Sequence, residues 1–306
     1  MDMRQKACHG LFFVMVGTGI AFTGCGGDSG GATPPGTGDG GTGGAGTDGG
    51  TTSWWQPRSD EPIHWHWQLT DDFVYPRDVL PNVSVYDIDG ELTPASIVSS
   101  LHGSNPNVKV ICYVEAGAWE DFRSDKDQFP ASIIGSQDGS PKRKWLDIRQ
   151  LDVLLPIIKN RMVNWCKNKG FDAIEPDETE VWTNKSGFPI TKEDNTAYNK
   201  AIADLAHSIG LSVGLKCNNT ESVTLEPYFD WALTEQCWER NECTFFKDGF
   251  LAKGKAVFNV EYDVPPNCAT ANSWKMNSSQ RDTGIDGPQN SDYLYKPCVP
   301  DSQNNW

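Results

Sequence analysis

The sequence predicts a single α/β domain, a (β/α)8 barrel of the TIM type, over residues 54–306. Strand-like and helix-like segments alternate along this part of the chain, which is typical of folds built on a parallel sheet. Several strand candidates are continuous apolar runs, as expected for strands that are covered on both faces. About 250 residues is a normal length for such a barrel. No glycine-rich phosphate loop follows any strand candidate, which argues against a doubly wound nucleotide-binding sheet.

Eight segments are predicted as strands because they are short, rich in apolar residues and bounded by turn residues. In chain order they are His64–Leu69, Val83–Asp89, Val108–Val114, Trp145–Ile148, Phe171–Asp177, Leu211–Lys216, Trp231–Glu235 and Val257–Tyr262. The number eight favours a closed barrel over an open doubly wound sheet.

Helices are predicted between these strands, at Pro94–Leu101, Ala118–Gln128, Leu151–Lys169 and Thr191–Ile209. The third has apolar residues at spacings of three and four and ends before Gly170. The fourth begins with Thr191 and Asp194, which are spaced as in a capping box, and it ends before Gly210. The first two have weaker patterns.

The first 24 residues resemble the export signal of a bacterial lipoprotein. Arg4 and Lys6 precede a mostly apolar run, Leu11 to Thr23, which is too short to span a bilayer. The run leads into Phe22-Thr23-Gly24-Cys25, which is similar to a lipobox. We therefore expect cleavage before Cys25 and acylation of that cysteine, which would hold the protein on a membrane. The alternative is an ordinary cleaved signal peptide.

Residues 25–53 are predicted to form a flexible tether. They are almost entirely Gly, Thr, Asp, Pro, Ser and Ala, and no segment among them could form a core. Such a chain has a root-mean-square reach of about 30 Å. We therefore expect an exported domain that is anchored by lipid to the cell envelope, in the outer membrane if the host has one.

The chain is strongly acidic, with a net charge of −15 at pH 7. Removal of residues 1–24 takes away Arg4, Lys6 and Asp2, which leaves −16. A field of this sign repels nucleic acid and anionic membranes and favours cationic partners. We therefore expect no nucleic-acid partner, and contact with a membrane only through the lipid.

Cysteine usage agrees with an oxidising compartment. We predict two disulfides, Cys237–Cys243 across a short loop and Cys268–Cys298 across a Ser/Asn/Gly-rich tail. The loop-entropy model gives about 2.5 kcal/mol for the first and about 3.5 kcal/mol for the second. Cys112, on an apolar strand, and Cys166, on an apolar helix, are expected as buried free thiols. The sequence has no Cys-x-x-Cys and no His cluster, so neither a metal nor another cofactor is expected.

Carboxylates stand at the ends of successive predicted strands, at Asp89, Glu115, Asp147, Asp177, Glu235 and Glu261. In a barrel these ends meet at one face, where active sites lie. Negative groups that converge in a cleft repel one another, so they are kept for function or neutralised by partners such as Arg123, Arg149 and Lys216.

Asp177 and Glu235 are the strongest candidates for catalysis among these acids. Asp177 follows Pro176, whose bend suits the aiming of a side chain, and Glu235 lies just before a predicted disulfide. Asp87 and Asp89 either bind substrate or hydrogen-bond to loops. Asp147 is expected in a salt bridge with a neighbouring arginine rather than in catalysis.

Two carboxyl groups are the minimum equipment for cleavage of a glycosidic bond. One protonates the leaving oxygen, and the other attacks the anomeric carbon or activates water. Trp119, Trp182 and Trp238 follow strand ends, where they would offer stacking platforms for sugars, although each alone is more often part of a core. Glu115 and Glu261 are the other acids expected near substrate, and Glu261 has the alternative role of orienting a neighbour.

Several sequence pieces, in order from about Trp65 to Cys298, resemble glycoside hydrolase family 114, the endo-α-1,4-polygalactosaminidases. The pieces are Trp67-Gln68-Leu69, Tyr86-Asp87-Ile88-Asp89, Cys112-Tyr113-Val114 with Ala116-Gly117, Glu120 and Arg123, Trp145-Leu146-Asp147-Ile148-Arg149, Gly170-Phe171-Asp172 with Glu175-Pro176-Asp177, Gly214-Leu215-Lys216, Glu235-Gln236-Cys237 and Val260-Glu261-Tyr262. Each piece is a weak signal alone, and their common order and spacing make the resemblance specific.

The resemblance implies a barrel that cuts an α-1,4-linked, galactosamine-rich polymer internally. It implies that Asp177 and Glu235 are the catalytic pair, and it places Lys216 among the substrate contacts. A deacetylated galactosamine polymer is cationic, which agrees with the acidic charge of the chain.

The chain departs from the family pattern at three positions beside these residues. Glu178, Thr234 and Cys217 stand where the family commonly has Asn. These departures bear on the exact sugar more than on hydrolysis. A second hypothesis from another class is a non-catalytic, surface-tethered protein that uses the acidic cleft to bind glycans. Because both catalytic positions are filled, the sequence favours the hydrolase.

Overall fold

The computed structural model describes residues 54–61 and 63–298. The strands are β1 (Trp65–Gln68), β2 (Val85–Asp89), β3 (Lys109–Glu115), β4 (Ala118–Glu120), β5 (Ile134–Gln137), β6 (Arg143–Leu146), β7 (Ala173–Asp177), β8 (Ser212–Lys216), β9 (Trp231–Glu235), β10 (Val257–Glu261), β11 (Asn277–Arg281) and β12 (Tyr295–Pro297). Nine of them form one curled sheet in the order β1-β2-β3-β7-β8-β9-β10-β11-β12. Every neighbouring pair in it is parallel except β11 and β12.

Helices connect the parallel strands and cover the outside of the sheet. They are α1 (Ala95–Ser104), α2 (Leu151–Arg161), α3 (Lys192–Ser208), α4 (Ser222–Leu225), α5 (Cys243–Asp248) and α6 (Cys268–Trp274). Helix α2 continues through a π-helical turn and a 3-10 turn to Gly170, whose φ of 89° ends it as predicted. The predicted capping box of α3 is confirmed, because Thr191 and Asp194 each accept a hydrogen bond from the other's backbone N–H. Within the described residues, no helix is both long and apolar enough to cross a membrane.

Seven of the eight predicted strands lie in the curled sheet, but Trp145–Ile148 does not. Its first two residues end β6, which pairs antiparallel with β4 and β5 in a separate three-stranded sheet. The predicted helix at Ala118–Gln128 is also wrong, because this segment contains β4 and a short 3-10 turn. The eighth parallel strand is β11, Asn-Ser-Ser-Gln-Arg, which has no apolar residue for a pattern search to detect.

The two ends of the curled sheet approach each other. The Trp65 indole on β1 donates to the carbonyl of Asn277 on β11 at 3.2 Å, and the Tyr295 hydroxyl on β12 donates to the Trp65 carbonyl at 2.9 Å. In the described part of the chain no backbone ladder joins β1 to β11. The expected α/β fold on a curled parallel sheet is therefore confirmed, whereas the fully closed eightfold barrel is not.

Alternation along the parallel strands separates two apolar layers. On β3, Val110 and Cys112 pack outward against the helices, while Ile111 and Tyr113 belong to the layer inside the curl. The same alternation on β7 puts Glu175 on the inner side, two residues before the strand ends. Polar side chains at the ends of several strands therefore converge inside the curl.

Three disulfides join described residues, and one of them corrects a prediction. Cys237–Cys243 and Cys268–Cys298 form as expected. Cys112 and Cys166, which were expected as free thiols, form a third disulfide with their Cα atoms 5.7 Å apart. Cys112 lies on the outer face of β3, where the turn after α2 packs. The two residues are 54 apart in sequence, so no local spacing could predict their contact.

We expect the double variant Cys112→Ala and Cys166→Ala to lose about 4 kcal/mol of unfolding free energy, because a disulfide that closes a longer loop restricts the unfolded chain more. Urea denaturation of the domain measures this loss. The matched control, Cys237→Ala with Cys243→Ala, should lose about 2.5 kcal/mol because its loop is much shorter. Non-reducing peptide mapping that recovers Cys112 as an alkylated free thiol would contradict the assignment.

Candidate active site

Three neighbouring parallel strands end in charged residues that meet at one point. Asp177, Lys216 and Glu235 are the last residues of β7, β8 and β9. The Lys216 ammonium lies 2.7 Å from Asp177 Oδ1 and 3.5 Å from Glu235 Oε1. All three side chains are buried. The structure thus brings together the two predicted catalytic carboxylates, with a lysine between them.

Each of these strand ends is followed at once by a residue in the left-handed region. The φ angles are 56° at Glu178, 50° at Cys217 and 54° at Gln236. This conformation is unfavourable for residues other than Gly and, to a lesser degree, Asn and Asp. The chain therefore turns sharply directly after each charged residue, and such strain is concentrated at functional sites.

Glu175 provides the third carboxylate on Lys216. Its Oε1 lies 2.7 Å from the Lys216 ammonium, and its Oε2 accepts a hydrogen bond of 3.1 Å from the Trp67 indole. The Trp67 ring also faces the ammonium, with 4.7 Å between Nζ and the ring centroid. Lys216 is therefore fixed by three ion pairs and a cation–π contact, which compensate its burial.

Asp177 is held in its ionised form. The Tyr113 hydroxyl donates to Asp177 Oδ2 at 2.9 Å. Burial alone would raise the pKa of Asp177, but the positive charges of Lys216 and Arg143 outweigh it and bring the pKa below its usual value. A buried carboxylate that stays charged and accepts strong hydrogen bonds is suited to act as a nucleophile or a base.

Glu235 has the opposite tendency. Burial raises the pKa of Glu235, and the Lys216 ammonium and a hydrogen bond from the Tyr262 hydroxyl oppose this rise without cancelling it. Asp177 and Glu235 are thus two carboxyl groups with pKa values shifted in opposite directions by their surroundings. Such a divergence is the arrangement by which one site provides both an acid and a base.

Arg143 connects the site to a second group of acids. Its guanidinium forms ion pairs with Glu178 and Asp138 and lies 3.7 Å from Glu115 Oε2. Glu115, one of the predicted substrate contacts, is fully buried, and its Oε1 accepts hydrogen bonds from the backbone N–H groups of Gly117 and Ala118. These bonds tie Glu115 to the turn between β3 and β4.

The other predicted acids also have protein partners. Asp89 pairs with Arg123 at 2.8 Å, and Asp147 forms the predicted salt bridge with Arg149 at 2.7 Å. Glu261 accepts hydrogen bonds from the backbone N–H groups that follow β9, at Trp238 and Glu239, which matches its alternative role of orienting a neighbour. Asp87 is fully buried beside Glu175.

The three predicted tryptophan platforms lie in different surroundings. Trp182 is half-buried on the turn after β7, and its indole N–H has no hydrogen-bond acceptor among the described residues. Trp238 is half-buried after β9, where its ring lies 5.2 Å from that of Trp274 and its indole donates to a serine. Trp119 lies on β4 of the separate sheet, with its indole bonded to the Lys126 carbonyl.

One group of side chains has the close spacing of metal ligands. Cys237, Cys243 and Glu261 have ligand atoms within 4.8 Å of one another. The disulfide between the two cysteines occupies both sulfur atoms, so the group is not suited to hold an ion.

The sequence analysis missed several residues of the site, namely Trp67, Tyr113, Arg143, Glu175 and Tyr262. A signal was present for Glu175 and Tyr113, because each stands two residues before a carboxylate that ends a strand and therefore shares its face. Tyr262 stands in the piece Val260-Glu261-Tyr262, which resembles the family. Arg143 carries no comparable signal, because packing between distant segments brings it to the site.

The chain is similar to proteins of known structure. Ega3 of Aspergillus fumigatus, solved in complex with galactosamine, is 28% identical and superimposes with a TM-score of 0.70, over 80% of this chain and 98% of its own. The glycoside hydrolase domain of PelA from Pseudomonas aeruginosa is 12% identical, and its TM-score of 0.55 over 76% of this chain and 96% of its own shows a shared fold. A search of curated protein sequences gave no match. The model of the glycoside-hydrolase family GH114 matches residues 45–292, and the chain therefore belongs to that family.

Proposed function

We propose that the protein cleaves an α-1,4-linked, galactosamine-containing polysaccharide internally, with Asp177 as the nucleophile and Glu235 as the general acid and base. The observation that carries the assignment is the opposite pKa shift of two carboxyl groups that share one lysine. In this proposal the curled sheet works as a (β/α)8 barrel, with its chemistry at the C-terminal ends of the strands.

The separation of the two groups supports a retaining reaction. Both carboxylate oxygens lie within 3.5 Å of the same nitrogen. These two facing oxygens therefore lie closer together than the roughly 6.5–9.5 Å that separates the carboxyl groups of inverting enzymes, which admit a water molecule. Retaining enzymes instead place the carboxyl groups about 5–5.5 Å apart, so that one of them can attack the sugar.

The reaction then has two steps. Glu235 donates its proton to the glycosidic oxygen while Asp177 attacks the anomeric carbon, which breaks the glycosidic bond and forms a glycosyl ester on Asp177. Glu235, now ionised, removes a proton from water, and the resulting oxygen nucleophile displaces Asp177. Lys216 contributes by keeping Asp177 ionised before the attack and by stabilising its negative charge when it leaves.

The substrate class is supported by two independent properties. Ega3, at 28% identity, was solved with galactosamine bound. This chain carries a net charge of −15, and a polymer with free amino groups is cationic.

Incubation of the soluble domain with partly deacetylated galactosaminogalactan tests the proposal. We expect a ladder of oligosaccharides by mass spectrometry, and proton NMR at early times should show the α-anomer at the new reducing ends. Intact polymer after prolonged incubation would reject the hydrolase and favour the alternative, a surface glycan-binding protein. Early release of the β-anomer would keep the hydrolase and reject Asp177 as a nucleophile.

We also propose that the mature protein is anchored by lipid at Cys25 and that residues 25–53 tether the domain to the cell envelope. Both features lie outside the described residues, and the proposal rests on the lipobox-like run and the composition of the tether. We expect labelled fatty acid to be incorporated into the wild-type protein in a bacterial host, and Cys25→Ala to move the protein into the soluble fraction. A wild-type protein that is found free of membranes would contradict the anchor.

A further inference from the structure

Asp87 is a carboxyl group that the proposed reaction does not use. It lies on β2 directly opposite Trp67 of β1, and its side chain is completely buried. No N–H or O–H donor in the described part of the chain reaches either of its oxygens. An ionised carboxylate has only acceptors, so at this depth it would leave all of them unsatisfied at a high cost in free energy.

The neighbour of Asp87 accounts for this environment. Glu175 is the acidic neighbour on the same side of the sheet, since its Oε2 accepts from the indole of Trp67, the residue directly opposite Asp87 in the strand register. A hydrogen bond between the two carboxyl groups requires a proton on one of them. Glu175 already accepts from the Lys216 ammonium and the Trp67 indole, so it is the ionised member. Asp87 is then the donor. Because it is neutral, its burial does not remove a charge from water.

We propose that Asp87 and Glu175 share one proton and act together as a singly charged counter-ion that positions Lys216 between Asp177 and Glu235. Asp87 is thus a positioning residue, which acts on the proposed reaction through Glu175 and Lys216.

The charges around Asp87 are consistent with this role. The charged groups that influence it are Glu175 and Asp177 on β7 and Lys216 on β8. Burial and the Glu175 carboxylate raise the pKa of Asp87 well above its usual value. Burial also raises the pKa of Glu175, while Lys216 and the hydrogen bond from Asp87 oppose that rise. Two ionised carboxylates here would leave the buried lysine with more negative charge than it can balance.

Asp87→Asn and Asp87→Leu separate this role from simple packing. Asn keeps a donor toward Glu175, so we expect kcat within about threefold of the wild type, a small change in free-energy terms. Leu keeps the approximate volume but removes the donor. We therefore expect kcat to fall about 10- to 100-fold, which is the effect of losing a hydrogen bond to a charged group. KM should change little. Without the donor Glu175 protonates more readily, so the acid limb of the Asp87→Leu rate profile should move to higher pH.

Infrared difference spectra test the shared proton directly. The wild type at neutral pH should show a protonated carboxyl band that disappears in Asp87→Asn and persists in Glu235→Gln. A wild type without this band, or equal losses of kcat in the Asn and Leu variants, would overturn the inference. The inference rests on the proposed function only in its kinetic test, because the infrared spectrum detects the shared proton whether or not the polymer is cleaved. If Asp87→Leu does not fold, the Asn variant and the wild-type spectrum still decide the matter.

Discussion

Asp177→Asn is expected to lower kcat by at least about 10⁴-fold, because losing a nucleophile removes the covalent route entirely. Glu235→Gln is expected to lower kcat by about 10²- to 10⁴-fold, the usual contribution of a general acid or base. Both substitutions preserve shape, so the melting temperature should change little. Initial rates on the deacetylated polymer, with circular dichroism to verify the fold, measure the effect.

An aryl glycoside with a good leaving group separates the two roles. Its departure needs little proton donation, so Glu235→Gln should retain the step that forms the glycosyl ester, whereas Asp177→Asn should not. Asp147→Asn is the matched control, since Asp147 is also buried and ion-paired but directly follows β6 of the separate sheet. Near wild-type turnover in either site variant would remove that residue from the mechanism.

The pH profile provides an independent readout of the same pair. Activity requires Asp177 ionised and Glu235 protonated. Because the pKa of Asp177 is lowered, the acid limb should lie below the usual range of an aspartate. Because the pKa of Glu235 is raised, the alkaline limb should lie above the usual range of a glutamate. Glu235→Gln should remove the alkaline limb and leave the acid limb in place.

The placement of the proposed catalytic pair could be predicted from sequence, because it follows from a simple property of parallel strands. Their C-terminal ends lie at one edge, so carboxylates that end successive strands must converge there. What distinguishes Asp177 and Glu235 from Asp89 is the partner of each carboxylate. Arg123, which neutralises Asp89, comes from a loop whose path is not encoded in any periodic pattern.

The errors in the fold prediction have a common physical cause. Apolar periodicity detects segments that bury hydrophobic side chains, and it predicted seven strands of the sheet correctly. It failed for β11, whose polar residues are buried through hydrogen bonds, and it accepted Trp145–Ile148, which is apolar because it packs in the small sheet. The Cys112–Cys166 disulfide was missed for a related reason, since tertiary packing alone brings those residues together.

Two departures from the family pattern fall on residues in the left-handed region of backbone conformation. Glu178 and Cys217 replace Asn, the residue that tolerates this conformation best after glycine, at the turns that follow Asp177 and Lys216. Glu178 gains an ion pair with Arg143 in exchange. Both departures fall on the residue after a strand end and leave Asp177 and Lys216 themselves unchanged.

Lys216→Met is expected to lower both stability and activity. Removing the ammonium leaves Glu175 and Asp177 as buried charges without their nearest positive partner, and breaking a buried ion pair in this way costs about 3–5 kcal/mol of unfolding free energy. Asp177 also loses a charge that lowers its pKa, so the acid limb of any residual activity should move to higher pH.

The double variant Lys216→Met with Glu175→Gln separates these two effects. Removing the Glu175 charge should recover part of the lost stability, because one fewer buried carboxylate then lacks the ammonium. The coupling appears as non-additivity in a double-mutant cycle. Activity should not recover, since Asp177 still lacks the ammonium that keeps it ionised and stabilises it as a leaving group. Urea denaturation measures stability and initial rates measure activity, each on the wild type, the two single variants and the double variant. If the single variant kept wild-type stability, or the double variant regained turnover, Lys216 would be a bystander to the pair rather than the residue that sets their charges.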